Sequence, residues 1–366
     1  MRTDVVIIGG GPAGLATAIA ARQRNLKAVL IDARTPPIGK PCGEGLLPEA
    51  VEALANLGIR LDSSGAPFAG FRFTDEKSSA SARIGRGRGV GLRRKVLHRL
   101  LADRARELGV TLLWGARISA LDSRGVSVGG ELFPCTWLVG ADGQRSSVRR
   151  IARLEPRRRH HFRFGFRRHF AVAPWTDLVE VHWGERCQMI VTPTDAEEIC
   201  ISLFSSDPRL RMDCALAQFP EVAARIRGAR PVSREAGAVT ALSRARAVAR
   251  GNVALVGDAA CSVDAVSGQG LSLAFQQALH LADAMAHQDL SEYERAHLRI
   301  FRPAVRMTRL LLWMNASSAL RRKVIRLFAS RPGLFANMIS VHTGESAPES
   351  FRAAEVLGLG WRVLWA

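Results

Sequence analysis

Residues 4–14, DVVIIGGGPAG, are apolar through Ile8 and then break into glycines. A short apolar run ending in glycine predicts a buried strand that turns into a helix, here starting at Pro12 or Ala13. KAVLID, 27–32, has the same buried-strand character. LRRKVLHRLLADRARELG, 92–109, predicts a helix, because Leu97, Leu100, Leu101 and Leu108 share a face and Gly109 ends it. Strand patterns follow around 110–121, 125–128 and 131–139. Most of 162–204 is strand-like (FRFGFRRHFAV, LVEVHW, CQMIVT, EICISLF), which predicts an antiparallel sheet separate from the opening unit. Within it, Phe162, Phe164 and Phe166 alternate with Arg163, Gly165 and Arg167, predicting one apolar phenylalanine face. Residues 213–228 read as a helix, NVALVGD at 252–258 as another buried strand, 270–287 as a helix and 291–366 as mainly helical. The long loop TPPIGKPCGEGLLPEA, 35–50, reads as functional. GRGRGVG, 85–91, reads as a flexible connection.

Gly9, Gly11 and Gly14 stand at G-x-G-x-x-G spacing, and each has a separate task. Gly9 supplies the strand-to-helix turn, Gly11 lets a pyrophosphate approach the backbone, and Gly14 lets the helix pack on the strand. The unpaired N–H groups at the helix start then face the phosphates. Asp32 ends the second strand near the distance expected of an acid that binds an adenosine ribose. Strand, helix and acid together point to dinucleotide binding.

A chain of 366 residues, 47% hydrophobic, has room for two domains or for one discontinuous domain with an inserted layer. No apolar run approaches the roughly 18 residues of a membrane span, and nothing before the first strand reads as a signal peptide. Cys42, Cys135, Cys187, Cys200, Cys214 and Cys261 are scattered without a C-x-x-C pair, which predicts reduced cytoplasmic thiols and no metal site. The formal charge is +19, and all but five of the 52 basic residues are arginine. Genome composition alone can produce such a bias; the functional readings are attraction for an anionic cofactor, a membrane surface or nucleic acid. The densest basic run, 149–168, contains Arg157, Arg158, Arg159, His160 and His161. Its phenylalanines suit a core or pocket better than base stacking, so nucleic acid is not expected.

Three more motifs follow in order. Arg94, Leu97 and Leu101 form R-x-x-L-x-x-x-L; VGADGQRSSVRR spans 139–150; VALVGDAACSVDAVSGQGLSLAFQQA spans 253–278. With the glycine motif they resemble the signatures of the p-hydroxybenzoate hydroxylase-like flavoproteins, which include group A monooxygenases, flavin halogenases and geranylgeranyl reductases. The resemblance covers most of residues 1–290 and implies FAD. It places Gly9, Gly11, Pro12, Ala13 and Gly14 at the pyrophosphate with Arg94 nearby, and Asp32, Ala33 and Arg34 at the adenosine ribose. Asp142, Gly143, Gly257 and Asp258 belong to the later FAD motifs, with Asp258 at the ribityl chain, although Asp142 also reads as a simple capping residue. Gly268, Gln269, Gly270 and Leu271 would face the isoalloxazine, where a helix N-terminus favours the negative charge of reduced flavin. The implied architecture is α/β: a discontinuous Rossmann-type FAD-binding domain (1–67, 93–157, 238–290), an inserted antiparallel-sheet substrate domain (68–92, 158–237) and a C-terminal helical region (291–366).

Pro41, Cys42 and Gly43 stand where the reductases carry P-C-G, close to flavin and substrate. Cys42 and Glu44 are the candidate proton carriers, with plain packing as the other reading of Cys42. Gln269 in Gly-Gln-Gly resembles the hydroxylases. Cys261 departs from the histidine usual there in hydroxylases, and Ala265 departs from the proline usual in both branches. QMIVTP at 188–193 lacks both tryptophans of the halogenase pattern. Phe164, Phe166, Phe170, Trp183, Met189, Ile201 and Phe204 are candidate pocket walls, which favours a small hydrophobic substrate. The leading expectation is a monooxygenase that uses reduced FAD and O₂ on a hydrophobic or aromatic metabolite. The alternatives are a double-bond reductase acting on an isoprenoid or polyketide, and a non-catalytic flavin-binding partner protein. No second nucleotide motif is visible, so electrons would come from transiently docked NAD(P)H or from a separate reductase. The basic amphipathic segment beyond Pro303 fits either a solvated helix face or peripheral contact with an anionic membrane.

Overall fold

The computed structural model describes residues 3–122, 125–156 and 162–346. The basic cluster Arg157, Arg158, Arg159, His160 and His161 and the segment 347–366 lie outside the described residues. The opening strand is Thr3–Ile8, paired in parallel with Ala28–Asp32 on one side and Glu131–Gly140 on the other. Val253–Leu255 and Thr111–Trp114 extend this parallel sheet outward, and Ala249–Arg250 adds an antiparallel edge. Val5, Val6 and Ile7 are fully buried, each contributing about 1.5–3 kcal/mol of hydrophobic stabilisation. The helices Pro12–Gln23, Arg94–Glu107 and Gly270–Ala286 pack together beside it, with Pro12–Gln23 in the middle.

A second sheet runs in the order Arg230–Pro231, Phe162–Ala171, Glu198–Ser205, Cys187–Asp195, Leu178–Trp183, Gly70–Thr74, Ser79–Arg83. It is antiparallel except where Leu178–Trp183 runs parallel to Gly70–Thr74. Leu290–Ala316, Ser318–Ser330 and Pro332–His342 form the C-terminal helices, and the last two pack on Ser79–Arg83. Among the described residues, no helix is long and apolar enough to cross a membrane.

Three local expectations need correction. Gly89–Gly91 is not a loose connection but a strand, paired with Gly45–Leu46 and Ala66–Phe68. Glycine is required there because a Cβ on Gly91 would lie 1.6 Å from the Pro193 carbonyl oxygen. The helix expected over 213–228 is broken into Met212–Ala215, a 3₁₀ turn and Pro220–Arg225, since proline restarts it. The phenylalanine face of Phe162–Ala171 is not the buried one at its start: Phe162 is exposed whereas Arg163 and Gly165 are buried. Arg163 tolerates burial because it donates to Asp264 and Gln188 at 3.1 and 2.6 Å.

Candidate functional site

The glycine turn is built by close contacts. A Cβ on Gly9 would meet the Ala141 carbonyl oxygen at 2.4 Å, and one on Gly14 would meet the Gly9 carbonyl oxygen at 1.9 Å. Gly14 therefore serves helix packing and does not line the cleft. Gly11, Gly143, Gly268 and Gly270 behave oppositely, since a Cβ on any of them would meet nothing within 4 Å. Three backbone segments thus border open space where a ligand can lie against the main chain. The helix Pro12–Gln23 begins without a side-chain cap, and so does Gly270–Ala286. Uncapped N–H groups at both helix starts suit phosphate at the first and developing negative charge at the second.

Asp32 sits 8% exposed at the strand end. Its carboxylate accepts the Gly10 and Arg34 backbone N–H groups, both at 2.7 Å, and the side chain still borders the cleft beside Ala33 and Arg34. Asp142 answers to both of its sequence readings. One carboxylate oxygen accepts Ser147 N–H and O–H at 2.6 and 2.7 Å, capping a short helix. The other is buried without a partner among the described residues, as is Nε of Arg94, and both residues line the cleft. Orphaned polar atoms beside glycine-lined space are what a dinucleotide would satisfy.

The cleft continues into one cavity of about 610 Å³. Pro12, Ala13, Pro41, Cys42, Gly43, Glu44, Gly257, Asp258 and Leu271 all border it. Gln269 does not; its amide reaches away to donate to the His342 carbonyl at 3.2 Å. The far wall corrects the sequence reading of the pocket. Phe166 and Phe204 line it, whereas Phe164, Phe170, Trp183, Met189 and Ile201 do not. Phe170, Met189 and Ile201 instead pack with Met212 and Phe219 on the opposite sheet face. Alternation accounts for Met189 and Ile201, whose neighbours Ile190 and Ser202 face the cavity, whereas Trp183 shares the face of Val179 and Val181 but packs against Phe73. Phe68, Phe71 and Phe73 complete this wall, and Met307, Leu311, Met338 and Ile339 of the C-terminal helices close it.

Several contacts here carried no sequence signal. His98 contacts the Gly10 carbonyl through Nε2 at 2.9 Å, and burial lowers its pKa. The Arg149 guanidinium donates to Gln144 and Ala259 carbonyls at 2.5 and 2.8 Å, stapling the two later glycine loops together. Lys40 pairs with Asp258 at 2.5 Å across the cleft. His342 borders the apolar part of the cavity, and burial lowers its pKa to about 4, so it is neutral at pH 7. Apart from Arg149 and Gln144, five positions apart, the pairs join residues at least 88 positions apart, so spatial proximity reveals them.

A family model described as an FAD binding domain matches residues 2–292. The chain belongs to this family. The flavoprotein is similar to menaquinone reductase of Mycobacterium tuberculosis, 27% identical over 317 residues that cover 79% of this chain and 78% of the relative. It is also similar to rifampicin monooxygenase of Rhodococcus hoagii, 30% identical over 161 residues, covering 41% of this chain and 33% of that one. Among solved structures, a flavoprotein/dehydrogenase from Cytophaga hutchinsonii shares the fold with a TM-score of 0.80 at 18% identity, covering 93% of each chain. The flavoprotein is an FAD-dependent oxidoreductase.

Proposed function

We propose that the flavoprotein is a monooxygenase that hydroxylates an apolar, phenol-type metabolite with electrons from NAD(P)H. One observation carries this reading: the glycine-lined cleft runs without a break into a cavity walled by aromatic and aliphatic side chains. When bound, FAD supplies electron transfer and activation of O₂. Asp32 holds the adenosine ribose, while Gly11, Arg94 and the first helix start hold the pyrophosphate. Asp142, Gly143, Gly257 and Asp258 hold the ribityl side, and the helix start at Gly268, Gly270 and Leu271 faces the ring. Pro41, Cys42, Gly43 and Glu44 lie at the junction of the two regions. Phe68, Phe71 and Phe73, with the C-terminal helices, exclude water and orient the substrate. Thr192, Ser202 and neutral His342 are polar groups of the cavity wall that offer hydrogen bonds to a substrate hydroxyl.

A second reading, double-bond reduction of an isoprenoid substrate, is favoured by the match to menaquinone reductase, which spans far more of the chain than the monooxygenase match does. The two separate in one experiment. Holoenzyme is reduced by NAD(P)H without O₂ and given either a 4-alkylphenol or an isoprenoid quinone. A substrate that gains two hydrogens before O₂ is admitted supports reduction. An unchanged substrate that gains an oxygen once O₂ is admitted supports hydroxylation.

A further inference from the structure

Hydroxylation at the expense of NAD(P)H takes up one proton from solvent per turnover, because the donor supplies hydride while O₂ must leave as product hydroxyl and water. Double-bond reduction has the same need. The cavity is walled largely by apolar side chains, so a built path would deliver the proton there without relying on bulk water. Glu44 borders the cavity, is 2% exposed, and accepts the Arg94 backbone N–H at 3.2 Å. Its carboxylate lies 2.5 Å from Nε2 of His169, itself 2% exposed. On the other side of the ring, Nδ1 meets Ser233 Oγ at 2.9 Å and an Arg167 guanidinium nitrogen at 3.0 Å. Arginine has only donors, so Nδ1 accepts and the neutral ring carries its proton on Nε2, aimed at Glu44. Ser233 Oγ accepts the His169 backbone N–H at 3.0 Å and an Arg167 N–H at 3.4 Å, and its own O–H shares the Nδ1 lone pair with Arg167. Ser233 is half-buried, and its neighbours Pro231 and Arg234 are exposed.

We propose that Glu44, His169 and Ser233 form a proton relay between the protein surface and the substrate cavity. Ser233 passes its hydroxyl proton to Nδ1 and takes a replacement from surface water. His169 passes its Nε2 proton to the Glu44 carboxylate, which delivers it into the cavity, and nothing is oxidised or reduced along the path. The other groups facing the relay are Arg167, at 3.6 Å from Glu44, Arg94, the Arg93–Glu198 pair, Cys42 and Cys200. Ligand atoms of Glu44, His169 and Cys200 do fall within 4.8 Å of one another. The first two are hydrogen-bonded to each other and a guanidinium stands 3.6 Å from Glu44, an arrangement that suits proton transfer better than cation binding.

This inference rests on the proposed function for its role, but its test needs no substrate. Dithionite-reduced holoenzyme is mixed with O₂ alone in H₂O and in D₂O, and flavin re-oxidation is followed by absorbance. This reaction forms H₂O₂ and takes up one solvent proton. His169→Asn should slow re-oxidation by about 10²-fold, the low end of what a positioned proton donor contributes, with partial rescue by free imidazole. Ser233→Ala should give a smaller loss with an enlarged solvent isotope effect. A FAD-bound His169→Asn protein with the wild-type rate and isotope effect would overturn the relay. Should that variant fail to hold FAD, Ser233→Ala decides: a slowed rate supports the relay, and a wild-type rate and isotope effect refute it. Failure of the proposed function reads differently, as no oxygenated product while the relay variants remain slow.

Discussion

Asp32 accepts two backbone N–H groups and still borders the cleft, so its negative charge is fixed in place before any ligand arrives. Removing it costs a charge-assisted hydrogen bond of about 1.5–3 kcal/mol. Asp32→Ala should therefore raise the FAD dissociation constant by about 10–10²-fold, read by flavin fluorescence, with the fold retained. An unchanged constant would show that another residue holds the ribose. Cys42 separates the two chemistries. Its thiol accepts the Glu44 N–H at 3.4 Å, and the residue borders the cavity. In a hydroxylase Cys42→Ser acts through packing and should change turnover only modestly, with FAD bound and reducible. A loss of about 10²-fold or more in hydroxylation, the scale of a lost acid catalyst, would contradict that reading.

Two loops from distant parts of the chain meet at Arg149, which donates to carbonyls on both. Lysine lacks the planar fork needed to reach both at once. Arg149→Lys should weaken FAD binding more than it lowers thermal stability, measured by comparing the melting temperatures of apo and FAD-loaded protein. Equal losses in both forms would assign the residue to the core alone. The elements around this staple differ in how readily the sequence shows them. The Thr3–Ile8 strand, the Gly9–Gly11–Gly14 turn and the helix Gly270–Ala286 carry local patterns, apolar runs ending in glycine, and they fold as those patterns indicate. The far wall of the cavity does not, because period-two alternation leaves open which face meets the cavity. Met189 and Ile190 are equally apolar neighbours, yet only Ile190 lines it. Gly89–Gly91 was hidden for another reason: its strand exists through pairing with residues more than 20 positions away.

At the scale of the whole molecule, the apolar cavity bears on the proposed substrate and the buried histidines on acid stability. Each methylene buried in the cavity contributes about 0.8 kcal/mol, so affinity for 4-alkylphenols should rise about fourfold per carbon until the space is filled. A flat series would place the tail in solvent. His297 and His342 protonate near 6.5 when unfolded, but burial holds both at about 4 in the folded protein. The unfolded state binds the extra protons, so stability is full above about pH 6.5 and falls as the pH drops toward 4. The loss is up to about 3 kcal/mol per histidine. Urea unfolding across this range should show the decline, and His342→Gln should flatten it; an unchanged slope would move the effect to other groups.

The central claim, hydroxylation in a cavity continuous with the FAD cleft, is tested most directly by the fate of oxygen. Reduced holoenzyme is mixed with isotopically labelled O₂ and a 4-alkylphenol, and the product is analysed by mass spectrometry. A hydroxylase gives a product carrying one labelled oxygen atom, formed in step with flavin re-oxidation. Complete re-oxidation that yields only labelled H₂O₂, from an enzyme that reduces an isoprenoid double bond without O₂, would contradict it.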